Sequence, residues 1–422
     1  MARIAVRSVV MRITTAGMSI RISARTGVAD TRGRELSRGD SRETITLMAG
    51  LRGLSRKRKI QYERSGQASS QQANVRPLDL QGDVPLKRVG NLWESIITEE
   101  NIKAAYLSAR KGKSWQRTIQ RFDENLEENL EAVRRSLVDK TFHTAPYRSK
   151  KVFEPKERDI FILPFAPDRI IQHALMRVIE PIWESLFIHD SYACRKGKGM
   201  HKGSTRTMEF VRRNEYCLKC DISKFYPSVR HDVLSAIVRR KIKCPETLWL
   251  IDDIINSFPG ETNVPIGNYT SQWFGNLYLN ELDTFVKHEL RCRDYLRYCD
   301  DFCLFSDDKG YLNECAARIR EFLCVHLALR MSKCDLFPVA RGVDFLGYRH
   351  FKDFVLLRKS TTRRIKQRLK ALPWKIRSKI LTKERGLSSI ASTLGWIQWG
   401  NTFHLRQSLH LDEWFHDLKE VS

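Results

Sequence analysis

The chain has 422 residues, 42% of them hydrophobic, which suits roughly two or three domains and excludes disorder throughout. It carries 74 Lys and Arg against 49 Asp and Glu, a formal charge of +25 that points to a polyanionic partner, either nucleic acid or an anionic membrane surface. No apolar run approaches the ~20 residues of a membrane span, and ten Cys scattered through apolar segments, with no hydrophobic signal segment, fit a reducing compartment better than a disulfide framework.

Residues 1–84 read as a poorly ordered basic leader, with 16 Lys and Arg against 7 Asp and Glu and a Ser/Gly/Gln-rich stretch. Three readings compete: an RNA-binding arm, an organelle address (the first 29 residues hold no acid), or an over-extended start. The last is preferred because well-patterned sequence begins only near Val89, with Met48 available as an internal start. Over 86–150, Ile119, Phe122, Leu126, Leu130, Val133 and Leu137 recur at helical spacing and predict a core-facing helix. Residues 151–350 alternate strand-like and helix-like segments and hold nearly all the chemical signals. Within the basic, helical C-terminal stretch, residues 355–388 hold 12 Lys and Arg against 1 acid. There Ile365 and Leu369 form a narrow apolar stripe among Arg364, Lys366, Arg368 and Lys370, a surface suited to tracking phosphates.

The sharpest local signal is Arg297-Tyr298-Cys299-Asp300-Asp301-Phe302-Cys303-Leu304-Phe305. Apolar flanks predict two short strands, and the Asp-Asp pair suits the tight turn between them. Adjacent carboxylates repel unless a cation sits there, which is what a hard divalent metal needs. A third carboxylate, Asp221, lies in Tyr216-Cys-Leu-Lys-Cys-Asp221-Ile-Ser-Lys-Phe-Tyr226-Pro227, read as a strand ending near Pro227. A strand carrying Asp221 beside a hairpin carrying Asp300 and Asp301 gives a nest able to hold two Mg²⁺.

At this point the chain resembles a reverse transcriptase. Asp221 with Phe225-Tyr226, followed 79 residues on by Tyr298-Cys299-Asp300-Asp301, is similar to motifs A and C of the family's palm. Glu154-Pro155-Lys156-Glu157-Arg158, Asp168-Arg169-Ile170-Ile171-Gln172-His173 and the block Ser191–His201 resemble the fingers of bacterial members; Met331-Ser332-Lys333 and Phe345-Leu346-Gly347-Tyr348 resemble motifs D and E. Most bacterial relatives begin motif B with Gln-Gly. Here it reads Pro265-Ile266-Gly267-Asn268-Tyr269-Thr270-Ser271-Gln272, which resembles the reverse transcriptases of diversity-generating retroelements. The resemblance spans about 88–405 and implies an α+β right-hand polymerase. Its parts would be N-terminal helices and fingers (85–215), a palm with an antiparallel sheet (216–350) and a basic helical thumb (351–422).

The resemblance also implies roles. Asp221, Asp300, Asp301 and the Ile222 carbonyl would hold two Mg²⁺, with Mn²⁺ as a substitute. Tyr226 would be the gate against a ribose 2′-OH. Arg158 and Arg195 would hold the triphosphate or template base through guanidinium forks. Ile266, Gly267 and Gln272 would face the nascent pair, Lys333 would give a proton to the leaving pyrophosphate, and Phe345, Leu346 and Gly347 would grip the primer. The implied function is copying of a template-repeat RNA into adenine-mutagenised cDNA. Implied partners are template RNA, RNA–DNA hybrid, dNTPs and an oligomeric accessory variability protein, with no membrane, in the cytoplasm of a bacterial or phage-infected cell. Rival readings are a retron, intron-derived or defence-associated reverse transcriptase, or a catalytically silent RNA-binding scaffold. Cys217-Leu-Lys-Cys220 is not read as zinc-binding, because residues i and i+3 of a strand face opposite sides. Trp396 and Trp399 are read as helix core rather than stacking platforms.

Overall fold

The computed structural model describes residues 10–14, 17–21, 87–153 and 157–409. Most of the 1–84 leader, and Glu154, Pro155 and Lys156 of the first fingers block, lie outside the described residues. The chain divides into two units, residues 1–72 and 73–422. In the first, β1 (Val10–Thr14) and β2 (Gly17–Arg21) pair as an antiparallel ribbon.

The second unit opens with α1 (Trp93–Ile97), α2 (Glu99–Arg110), α3 (Arg117–Glu124) and α4 (Leu126–Val138). Thr98 caps α2 by accepting the Asn101 N–H (3.2 Å), and Glu99 and Glu100 complement the helix's positive end. The predicted single stripe over 119–137 does face the core, but Asn125 leaves helical geometry (φ −129°, ψ 55°) and splits it into α3 and α4. A hairpin follows, β3 (Arg148–Val152) and β4 (Arg158–Ile162), then α5 (Ile170–Glu184). Ile170, Ile171, Ala174, Leu175, Ile179 and Trp183 are all fully buried on α5, at spacings of three and four.

Next come α6 (Met200–Arg213), β5 (Tyr216–Ile222), α7 (Phe225–Ser228), α8 (His231–Lys241), α9 (Pro245–Asn256) and α10 (Tyr269–Thr284). The strand carrying Asp221 stops at Ile222 rather than near Pro227: Lys224 turns left-handed (φ 45°) and starts α7, which takes up Pro227. In α10 every residue from Thr270 to Asp283 except Gln272 is buried, the signature of a helix enclosed on all sides. The remaining strands and helices are β6 (Asp294–Tyr298), β7 (Asp301–Ser306), α11 (Lys309–Leu327), β8 (Met331–Pro338), β9 (Val343–Phe345), β10 (Tyr348–His350) and β11 (Val355–Leu357). Four helices close the described chain: α12 (Lys359–Lys370), α13 (Leu372–Arg377), α14 (Lys383–Ile397) and α15 (Phe403–Ser408).

The central sheet runs β6-β7-β5-β8, antiparallel throughout, so the α+β expectation holds. Both faces are covered. Leu218, Cys220, Ile222, Phe302 and Leu304 enter the main core, while Cys217, Leu296, Cys303 and Phe305 pack with Phe210, Val343 and Phe345 on the other side. That explains the near-continuous apolar character of these strands. The smaller sheet β11-β10-β9 joins α12 to α14 through Tyr348, Val355, Leu357, Ile365, Leu369, Ile390 and Ile397.

Of the two tryptophans, Trp396 packs on Tyr348 (ring centroids 5.5 Å), as read from the sequence. Trp399 lies past the end of α14, 44% exposed and stacked on His201 (4.5 Å). No helix among the described residues is long and apolar enough to cross a membrane.

Phe302 is fully buried one residue after Asp301. Phe302→Ala is expected to cost about 3–5 kcal/mol in chemical denaturation, the range for emptying an aromatic core site. A loss under about 1 kcal/mol would mean that the sheet is not packed as described.

Candidate active site

The site grows from strand register. Asp221 on β5 is the cross-strand partner of Asp301 on β7 and, on its other side, of Lys333 on β8. Partners across a pleated sheet share a face, so a row of acid, acid and cation crosses three strands. Tyr298 pairs with Asp301, leaving Cys299 and Asp300 as a two-residue turn with Cys299 left-handed (φ 54°). Asp300 therefore sits at the tip beside the row, and its carbonyl accepts the Ile222 N–H (3.3 Å), tying the turn to β5.

Electrostatics mark this row as strained. The Asp301 carboxyl is pushed up to about 6, first by burial and further by the Asp221 and Asp300 charges, against the opposing pull of Lys219. Lys219 is anchored through Nζ to the Asp344 carbonyl (2.6 Å). The Ser332 hydroxyl donates to Asp221 Oδ2, a partner that the sequence did not single out. Lys333 is exposed. Among the described residues no group of three or more His, Cys, Asp or Glu is arranged to hold a metal ion. The chemistry of the donor residues near this strand end, the carboxylates of Asp221, Asp300 and Asp301, is nonetheless that of ligands to a hard divalent cation.

Tyr226 lies half-buried on α7, its ring beside Phe225 (5.1 Å) and against Gly275 of α10, where a Cβ would come within 3.2 Å of the ring. Burial, then the neighbouring Cys299, Cys194 and Asp300, raises its phenol well above the usual tyrosine range, so it stays neutral.

The loop before α10 is held by the β3–β4 hairpin and its neighbours. The Phe161 N–H donates to the Ile266 carbonyl (2.8 Å), and Gly267, at φ 125°, leaves room for the Phe161 carbonyl, with which any Cβ would collide. The Asn268 amide donates to the Tyr147 hydroxyl (2.8 Å), Ser271 Oγ to the Pro265 carbonyl (2.6 Å), and the Tyr269 N–H to Gln172 Oε1 (3.2 Å). Ile266 is half-buried, while Gly267 and Gln272 are exposed. Phe161 and Tyr147 were not legible as site residues, since their contribution is a backbone group and a lone hydroxyl.

The two arginines part company. Arg158 is exposed at the start of β4 and makes no ion pair among the described residues. Arg195 differs from the sequence expectation. Its side chain is only 6% exposed and braced on Glu184 (2.7 Å) and on the Ile188 and Ser191 carbonyls (2.7 and 2.9 Å). It stiffens the loop before α6 and is not offered as a fork to a triphosphate.

Leu346 and Gly347 form the turn between β9 and β10, both at positive φ (56° and 84°). Phe345 is buried, so only the turn itself is available to grip a strand. On α12, Arg364, Lys366 and Lys370 are exposed, whereas Arg368 is bonded to Thr393 Oγ1 on α14. All ten Cys are free thiols. Cys217 and Cys220 enter opposite cores, and Cys220 lies 3.4 Å from Cys334, its partner across the sheet.

The raised Asp301 value fixes a sign. Its folded value lies above the unfolded one, so the native state holds that proton more tightly. The stability from this preference is present below pH ~4 and lost as pH rises through about 6. Asp301→Asn is therefore expected to raise stability without metal at pH 8 by about 2 kcal/mol, with the gain vanishing near pH 4. Mg²⁺ should stabilise the wild type and not the variant. Thermal melts across pH, with and without Mg²⁺, read both, and an Asp301→Asn protein less stable at pH 8 would refute the electrostatic account.

Comparison with known proteins finds a family match over the residues that carry this site. Residues 150–350 match the family described as Reverse transcriptase (RNA-dependent DNA polymerase). Protein YkfC of Escherichia coli strain K12 is 26% identical over 260 residues, covering 49% of this chain and 68% of that protein. The group II intron-encoded protein LtrA of Lactococcus lactis subsp. cremoris is 25% identical over 170 residues, 38% of this chain and 28% of LtrA. The retron Ec73 reverse transcriptase of Escherichia coli is 28% identical over 161 residues, 35% of this chain and 49% of that protein. The match spans under half of each of these last two proteins. Residues 150–350, just under half of the chain, thus match a reverse transcriptase domain, and that match together with the group II intron and retron relatives supports an RNA-directed DNA polymerase.

Proposed function

We propose that Asp221, Asp300 and Asp301, with the Ile222 carbonyl, hold two Mg²⁺ at the end of the central sheet, and that the chain extends a DNA primer there on an RNA template. Reverse transcriptases as a family work with divalent metal ions, typically Mg²⁺. The pairing of Asp221 with Asp301 beside the Asp300 turn carries this reading. Two bound Mg²⁺ would acidify the primer 3′-hydroxyl and neutralise the leaving pyrophosphate. The chain's own groups do the rest. Asp301 enters as the carboxylate once cation charge offsets its neighbours. Arg158 supplies an uncommitted fork for the triphosphate. Tyr226, neutral and wedged against Gly275, blocks a ribose 2′-OH. Lys333 gives a proton to the leaving group, and the Leu346–Gly347 turn holds the primer strand. Arg364, Lys366 and Lys370 follow the phosphate backbone of the hybrid. In this reading the β3–β4 hairpin belongs to fingers, the central sheet to a palm and α12–α15 to a thumb.

The finer proposal is a diversity-generating retroelement, in which a template-repeat RNA is copied with errors at adenine and an oligomeric accessory protein assists. Ile266-Gly267 in place of Gln-Gly supports it. An aliphatic side chain at that position cannot hydrogen-bond the nascent pair, and each ~1.4 kcal/mol of discrimination lost raises misincorporation about tenfold. A retron or intron-derived enzyme is the second reading, favoured by the relatives named above.

RNA-templated primer extension with Mg²⁺ is expected to proceed with the wild type and to fall at least ~10³-fold in Asp300→Ala/Asp301→Ala. Retained synthesis would refute the metal site. Sequenced products should show substitutions concentrated at template adenines, reduced about tenfold or more by Ile266→Gln. A flat error spectrum would favour the second reading.

A further inference from the structure

Arg297 is the second-largest fully buried side chain among the described residues, and nothing above gives it work. It lies on β6, two residues before the turn that carries Asp300. Its ion pair with Asp283 of α10 is 0% exposed on both sides: Nε donates to Oδ1 (2.8 Å) and Nη2 to Oδ2 (2.7 Å). The remaining donors reach α10 a second time and two other elements. Nη1 donates to Asn276 Oδ1 on α10 (3.2 Å) and to the Cys299 carbonyl in the turn (3.2 Å), and Nη2 to Ser191 Oγ in the loop before α6 (3.2 Å). The backbone of the same residue is used as well. Its N–H donates to the Asp190 carbonyl (3.0 Å), and its carbonyl accepts the Tyr192 N–H (3.0 Å). One residue thus ties together the catalytic turn, the buried helix α10 and the loop leading into α6.

A buried ion pair is a poor device for stability alone, because well-packed apolar residues of similar volume do as well or better. What apolar residues cannot do is hold a carbonyl. Cys299 is left-handed, a conformation that a thiol-bearing residue adopts at a cost, and its carbonyl is the last acceptor before Asp300. We infer that Arg297 is a positioning residue for nucleotidyl transfer. Its guanidinium, fixed by Asp283, Asn276 and Ser191, grips the Cys299 carbonyl and so sets the turn that presents Asp300 and Asp301 beside Asp221. A lysine keeps the charge opposite Asp283 but lacks a planar fork that serves four acceptors at once.

This inference rests on the proposed metal site, and the controls separate the two. The full chain is tested as Arg297→Lys and as Arg297→Met/Asp283→Leu, the second removing both charges so that neither is left buried alone. Melting temperature, primer–template affinity and steady-state kinetics at varied dNTP and Mg²⁺ are measured, beside Asp300→Ala. Expected are folded variants that bind primer–template as the wild type does, with kcat at least ~10-fold lower, a raised Mg²⁺ requirement and dNTP KM within about twofold. A folded double variant with kcat and Mg²⁺ requirement within about threefold of wild type overturns the inference, as does failure of both variants to fold, which would make Arg297 a fold determinant only. If Asp300→Ala itself stays active, the metal-site reading fails first. If it is inactive while both Arg297 variants work normally, the positioning role alone fails.

Discussion

The cross-strand pairing of Asp221 with Asp301 is the constraint on which the rest of the structure depends. A sheet covered on both faces holds a mid-strand charge only with bonded partners, as for Lys219 and Arg297, and otherwise tolerates charge where its strands run out. β5 obeys this: Leu218, Cys220 and Ile222 alternate with Cys217 and Lys219, and the acid comes at the last turn of the alternation. β7 begins with its acid and continues as Phe302, Cys303, Leu304 and Phe305. Antiparallel pairing then has a single outcome, two carboxylates side by side with a third on the connecting turn. A register slip of one residue would send Asp221 to the face occupied by Leu218 and Cys220, into the main core. The apolar pattern of the strands therefore fixes where the acids meet, and their repulsion, felt as the raised Asp301 value, is the consequence.

Helix α10 packs beside that sheet end, with Gly275 against Tyr226 and Asp283 on Arg297. Its burial on all sides leaves Gln272 as the one exposed position between Thr270 and Asp283. Small size at Gly275 lets Tyr226 lie against the helix, and the left-handed Gly267 lets the β3–β4 hairpin close on the loop in front. These are steric conditions rather than chemical ones. Ile266 is held through its carbonyl by the Phe161 N–H, while its side chain stays half free.

Much of this was legible in the chain itself because it is local. The hairpin around Cys299 and Asp300 and the basic stripe beside Ile365 and Leu369 both follow from periodicity and turn chemistry. The misses share a cause as well. Asn125 breaks a continuous apolar stripe without any Pro or Gly to announce it, and the end of β5 is set by a left-handed Lys224 that no propensity favours. The commitment of Arg195 depends on Glu184, from a separate helix, and the contribution of Phe161 is an N–H that every residue but proline carries. Tertiary partners decide which members of a correct motif are free to act.

The same distinction reshapes the meaning of the +25 charge. A formal count treats every Lys and Arg alike, but Arg206, Arg213 and Arg240 are paired with Asp190, Asp294 and Glu281, and Arg297 is sealed inside with Asp283. Cations spent in this way stiffen the scaffold and contribute little field beyond it. Exposed Arg158, Arg364, Lys366 and Lys370 have no ion pair among the described residues, so part of the charge offered to a polyanion lies on the β3–β4 hairpin and along α12. Each phosphate met by such a side chain releases condensed counterion, so hybrid binding should weaken steeply with salt. The buried pairs, screened far less, would keep the carboxylate row in register over the same range.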